Sequence, residues 1–345
     1  MTIRHVLRGL ALGLAVVGML ATTAAGGASP GATKGPAAGK IKVAFLIATT
    51  SAGYPKGILT AAKKAAAANG VELTVFDAQF DPGKQFAQCQ DVIARKTFQA
   101  IIALPAASPA MVPCAKLAKA AGIPLISTDT PIGSNLKSGK PTVPGVTSQV
   151  LVPAITAFQS LGPSVASACK SLGGGKSCHV GFIMGVKALA LTEPASDMIK
   201  GWTKGMTFVG EAEGFYQRGG GLKVMQDLLQ KDPALNILVS MSDDMALGAE
   251  VAMKAVGKAA GKDVLVITQG SSYPGVARLR AGTWYATSVA NAISEGRVPV
   301  ELAAKAVRGE KVPSYVNSAA AGGTPQIINK EVLKTLPSFK GTFPA

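Results

Sequence analysis

Few side chains in this sequence could do covalent chemistry, and their spacing does not support it. Among 345 residues there are two His and four Cys. His5 lies in an apolar N-terminal stretch. His179 opens the strand-like run HVGFIM, at the end away from where α/β proteins hold ligands, and reads as structural. A nucleophile would therefore lack a base to activate it. GxSxG, a phosphate loop ending in GK[ST], and HExxH are all missing. GGGK at 173–176 lacks the phosphate-loop spacing and reads as a tight turn. No CxxC or His pair accompanies Cys89, Cys114, Cys169 and Cys178, so no metal and no cofactor is expected.

What remains is polar chemistry suited to holding a small molecule. Thr50, Ser51 and Tyr54 follow one apolar run, and Asp129 and Thr130 follow another. Gly185 and Lys187 follow HVGFIM, Ser242 and Asp243 follow ILVS, and Gln269 follows VLVIT. In open α/β sheets ligands sit beyond the carboxyl ends of strands, which is where these residues fall. Asp243-Asp244 also opens a helix, so capping and the helix dipole compete there with a ligand role.

Such positions need a frame of alternating strands and helices. KVAFLIA (42–48) is a continuous apolar run, as in a strand buried on both faces. VELTVF (71–76), QAIIAL (99–104) and IPLIS (123–127) follow. Between them lie helices over Gly57–Asn69, from Asp81-Pro82 to about Lys96, and from Ser108-Pro109 to Gly122. After the polar stretch Pro131–Pro144, VPGVTSQ (143–149) reads as a strand leading across a domain boundary. The rhythm then repeats with HVGFIM (179–184), ILVS (237–240), VLVIT (264–268) and YATSV (285–289). Helices are predicted over Glu193–Thr207, Gly221–Lys231, Asp243–Val256 and Ala292–Arg308. The expected fold is α/β, with two doubly wound halves facing each other across a cleft.

The N-terminus reads as an address. Arg4 and Arg8 precede the uncharged run Gly9–Ala21, and small residues follow, with Thr23 and Ala25 suited to a cleavage site. A signal peptide over 1–25 and a flexible leader over 26–39 are expected. An uncleaved anchor would need about 20 apolar residues. No Cys occurs before Cys89, so a lipid-carrying Cys at the cleavage site is missing. The mature chain is thus expected in the periplasm or outside the cell. There an even number of Cys favours disulfides. Cys169–Cys178 would bridge a Gly-rich loop, and Cys89–Cys114 would join successive helices. The net charge of +16 comes without a basic run, and at 5% aromatic residues there is no stacking platform for nucleic acid.

One segment is more specific than composition. SDDMALGAEVAMKAVGK (242–258) resembles the NDxMALGAxxAxxxAGK segment of ribose-type periplasmic binding proteins, the substrate-binding components of sugar ABC importers. GFYQRGGGLKVMQDLLQKDPALNILVSMSDDMALG extends the likeness upstream. KVAFLIATT, GYPKGI, QDVIARKTFQAIIALPA and AGIPLISTDTP carry it through the first half. The resemblance covers nearly all of residues 40–315 in order. It implies two Rossmann-like lobes joined by three crossings: 40–147 plus 291–316, and 148–290 plus 317–345. It also implies closure about a hinge on a small-molecule ligand and docking of a monomer on a membrane permease.

Residue by residue, the family Asp after the fourth strand falls on Asp129, where a carboxylate can accept two sugar hydroxyls. The Arg that follows it in the family is Thr130 here. Tyr54 matches a family aromatic after the first strand, and Tyr216 stands where another could stack. The family Asn before the MALGA Asp is Ser242, and the family Asp after the next strand is replaced near Gln269. The hinge Gln aligns near Ala290, next to Asn291. A site that has lost this many charged and planar polar groups implies a sugar or sugar-like ligand with fewer hydroxyls, or a less polar or aromatic metabolite. A regulator of the same fold lacks support, since a leader replaces a DNA-binding helix pair. A ligand-loaded partner for a sensor or chemoreceptor remains open beside the importer role.

Overall fold

The structure is a computed structural model that describes residues 39–187, 189 and 191–345. The expected signal peptide and all but the last residue of the leader lie outside the described residues. The chain runs β1 (Ile41–Ile47), α1 (Gly53–Ala68), β2 (Val71–Asp77), α2 (Pro82–Ala94), β3 (Ala100–Leu104), α3 (Val112–Ala120), β4 (Leu125–Thr128) and β5 (Val146–Leu151). It continues through α4 (Ala154–Gln159), α5 (Gly162–Ser171), β6 (His179–Met184), α6 (Thr192–Trp202), β7 (Thr207–Glu213), α7 (Arg218–Lys231), β8 (Ile237–Ser240) and α8 (Asp243–Ala255). β9 (Leu265–Gly270), α9 (Tyr273–Ala281), β10 (Ala286–Val289), α10 (Ala292–Val307), β11 (Tyr315–Asn317), α11 (Ser318–Ala321), β12 (Ile327–Asn329) and α12 (Lys330–Lys334) complete it.

Among the described residues the strands form two six-stranded sheets, ordered β11-β5-β4-β3-β1-β2 and β12-β10-β9-β8-β6-β7. Every pairing is parallel except β10 with β12. Parallel strands need crossover helices on both faces, which is why β1, β3 and β8 read as unbroken apolar runs. The first sheet buries Phe45, Ile47 and Ile102 on one face and Leu46, Ile101 and Leu125 on the other.

The chain passes between the sheets three times: after β5, between β10 and α10, and between β11 and β12. β5 pairs with β4 through Val150 and with β11 from Gln149 to Leu151, so the first passage follows Leu151 and not residue 147. The helix expected over Glu193–Thr207 stops at Trp202, and Thr207 instead opens β7. TFVGEAE carries few apolar residues because it is an edge strand, and the register shift at Val180/Gly181 opposite it weakens its alternation further.

Local signals behave as their chemistry requires. Asp81 caps α2 by accepting from the Lys84 amide, with Pro82 at the first helical position. Cys89 bonds to Cys114 and Cys169 to Cys178, with Cα separations of 6.0 and 5.4 Å. His179 sits at the amino end of β6, where its Nδ1 meets Asp232 at 2.6 Å. Gly248, inside the MALGA stretch, lets α8 lie against α7. A Cβ there would collide with the Arg218 carbonyl, so the motif is first of all a packing device.

Candidate functional site

A cavity of about 180 Å³ lies between the two sheets, walled by the carboxyl-end loops of both. An apolar cavity of ~150 Å³ holds a benzene ring, so this one is of single-ring size. From the β1–α1 turn and α1 come Ala52, Tyr54 and Pro55. From the end of β3 and the loop after it come Leu104 to Ser108, and after β4 come Asp129 and Thr130. The second sheet contributes Tyr216, Met241, Ser242, Asp243, Gln269 and Gly270. Most of the remaining wall is Ala, Leu, Val and Phe.

The geometry divides the nine expected ligand residues. Tyr54, Asp129, Thr130, Tyr216, Ser242, Asp243 and Gln269 line the cavity. Ser51 does not; it is exposed, and its amide and hydroxyl bond Thr49 Oγ1. Asn291 does not either. It caps α10 by accepting from the Ser294 amide and donates to Thr324 at the passage between the sheets. Gly185 is covered by the Tyr216 ring, an approach a side chain would block.

Two lining residues have inward duties. Ser242 caps α8 by accepting from the Met245 amide. Asp243 is 1% exposed, and its carboxylate accepts from Thr268 Oγ1, the Ser271 amide, and the amide and hydroxyl of Ser272. Burial raises its pKa, and those four bonds pull it back. It braces the β9–α9 turn, and its acceptor capacity is filled before any ligand arrives.

Asp129 is different. It holds a left-handed backbone, φ 62°, which a non-glycine residue adopts at a cost and which turns it out of β4 into the cavity wall. Its one side-chain hydrogen bond is from Thr130 Oγ1, at 3.1 Å. Burial pushes its carboxyl up to about 6 against that bond.

Glu295, from the first turn of α10, has no counterpart in the sequence expectations. It is 3% exposed, accepts from Tyr54 Oη at 2.5 Å and from Ser318 Oγ at 2.7 Å, and lines the cavity. Burial first, and then the Asp129 charge, hold its pKa well above the carboxylate range. The Tyr54 phenol is raised by burial and then by both carboxylates, and Tyr216 by burial and then Asp129. These four groups therefore share one electrostatic neighbourhood.

Two further residues escaped sequence reasoning. Ser108 Oγ is buried, 1% exposed, and has no hydrogen-bond partner, yet its residue is part of the wall. Phe343 belongs to a segment expected in the second lobe. The Phe343 carbonyl accepts from the Tyr273 amide, and Thr342 bonds Ser271 and Ala290. Its ring instead enters the core of the first sheet, 5.1 Å from the Tyr54 ring, against the space left by Gly57. Opposite it, the Asp244 carboxylate packs against Gly53 across the cleft, so closely that a Cβ on Gly53 would collide with it, and lies 3.5 Å from the Arg218 guanidinium. Both features hold the lobes together over the cavity.

Comparison with known proteins gives this arrangement a context. The periplasmic binding protein domain family matches residues 43–311. The ribose import binding protein of Salmonella typhimurium is 28% identical over 278 residues, 79% of this chain and 87% of that protein. An ABC transporter solute-binding protein from Mycobacterium smegmatis with bound glycerol superposes with a TM-score of 0.73 at 27% identity, covering 89% of this chain and all of that one. A second Mycobacterium smegmatis structure, in complex with β-D-fucofuranose, shares the fold at a TM-score of 0.72 and 24% identity, covering 86% and 94%.

Proposed function

Because the chain belongs to the periplasmic binding protein domain family, we propose that it is an exported, monomeric binding protein that captures a sugar-like molecule between its lobes and delivers it to the permease of an ABC importer. One observation carries this reading. The single-ring cavity is walled by both sheets and holds a carboxylate and a buried hydroxyl with bonding capacity to spare. Binding residues drawn from both lobes make affinity depend on closure, so the loaded form differs in shape from the empty one, and a permease can recognise that difference.

A second ligand class, less polar or aromatic, is favoured by the apolar wall at Leu104, Leu136 and Met241. A thermal-shift screen over sugars, polyols, nucleosides and aromatics separates the two. A true ligand at 100 times its Kd adds about 2.7 kcal/mol to stability. No shift with any compound, together with turnover of one of them, would sink the binding-protein reading. Binding without uptake in a permease-proficient strain would favour a sensor partner instead.

A further inference from the structure

The charged side chains that line the cavity are all acidic. Asp129, Asp243 and Glu295 are present, and none of the described lining residues is Lys, Arg or His. An anionic ligand would meet carboxylates with no counter-charge. A neutral ligand could donate hydroxyls to Asp129 but would leave its charge without compensation in a water-poor site.

The acceptors are not equally occupied. Asp243 is filled by four donors, and Glu295 holds Tyr54 and Ser318. Asp129 has one neighbour at 3.1 Å, while an ionised carboxylate offers about four acceptor positions. Ser108 Oγ, buried and unpartnered in the same wall, is an independent sign that part of the bonding pattern is completed from outside the protein. Four aromatic residues, Tyr54, Phe80, Tyr216 and Phe343, also line the cavity, and the faces of such rings attract cations.

We propose that the ligand is a single-ring polyol carrying one ammonium group, with the ammonium seated on Asp129 among the aromatic rings and a ring hydroxyl bonded to Ser108. This rests on the capture reading above and narrows its ligand to amino sugars and aminocyclitols. An ammonium supplies donors only, which is what Asp129 lacks, and its charge offsets the carboxylate without a basic residue in the wall. The protein would then reject uronates and sugar phosphates by charge, and prefer an amine to a neutral sugar because only the ammonium offsets the Asp129 charge.

The test is isothermal titration at pH 7.5 with matched pairs: hexosamines against the parent hexoses, and inosamines against the parent inositols. In at least one pair the amine should bind about tenfold or more tightly than its hydroxyl parent, the scale of one hydrogen bond to a charged group. Asp129→Asn should erase that preference while the variant still unfolds cooperatively. Ser108→Ala should weaken both members of the pair alike. If a neutral parent binds as well as its amine, or if Asp129→Asn keeps the preference, the ammonium assignment is overturned and the capture reading stands. If no ring polyol of either kind binds, the ammonium assignment is overturned, and the capture reading is decided by the wider screen that includes nucleosides and aromatics.

Discussion

Asp129, Tyr54 and Glu295 form a polar cluster whose behaviour follows from burial. Asp129 titrates near 6 when folded, above its ordinary value of 3.8, so the folded chain holds its proton longer than the unfolded one. Its contribution favours the folded state below about 3.8 and is lost as pH rises through 6. The groups facing it, Glu295 on α10, Tyr54 on α1 and Tyr216 before α7, are raised by burial and by the Asp129 charge, while burial is what opposes the ionisation of Asp129 itself. In ligand-free protein, Asp129→Asn should flatten the loss of melting temperature between pH 4 and 6.5. For an ammonium ligand the dependence on pH reverses, because affinity should fall as Asp129 takes up its proton below 6. Calorimetry across that interval reads both. Tyr54→Phe removes the donor that holds Glu295, and a buried acceptor left short costs ~1–3 kcal/mol. Chemical denaturation should show that loss, together with weaker binding. Tyr54 and Asp129 were legible in the sequence because they lie in the turns that follow apolar runs and match positions of the family pattern. Glu295 was not, because one carboxylate inside an amphipathic helix looks like any solvated residue until the helix is packed.

At the scale of elements, strand runs and capping signals were readable because each is local: Asp81-Pro82 opens α2, and VLVIT fills a central strand. β7 was lost because an edge strand needs little hydrophobicity, and Phe343 because its partner lies nearly three hundred residues upstream. Phe343→Ala should cost ~3–5 kcal/mol, the usual penalty for emptying a buried Phe site, and should also weaken ligand binding, since the ring supports Tyr54. A surface role for that segment would give neither effect. The cystine bridges close loops of 9 and 25 residues. Loop-closure entropy assigns them about 2.6 and 3.5 kcal/mol respectively. Denaturation of Cys169→Ser/Cys178→Ser and Cys89→Ser/Cys114→Ser should rank them in that order.

For the whole molecule, three passages between the sheets leave the lobes free to hinge, while Asp244 on Gly53 and Phe343 beside Tyr54 hold them together. Asp244→Ala should favour an open form. Solution scattering should then give a larger radius for the empty variant, and ligand affinity should fall by about tenfold. An unchanged radius and affinity would show that Asp244 does not latch the lobes.

The first sheet also takes β11 as its edge, and α1 packs along α10, so its lobe is built from both halves of the chain. Synthesis or threading through a narrow channel delivers residues in order, and Ile41 to Leu151 emerge long before Ala292. That early stretch waits without its closing helix, with Ile58 and Ala62 uncovered, until more than three hundred residues are out. The first lobe is therefore a late closer: its sheet cannot bury that face until the chain has nearly all emerged.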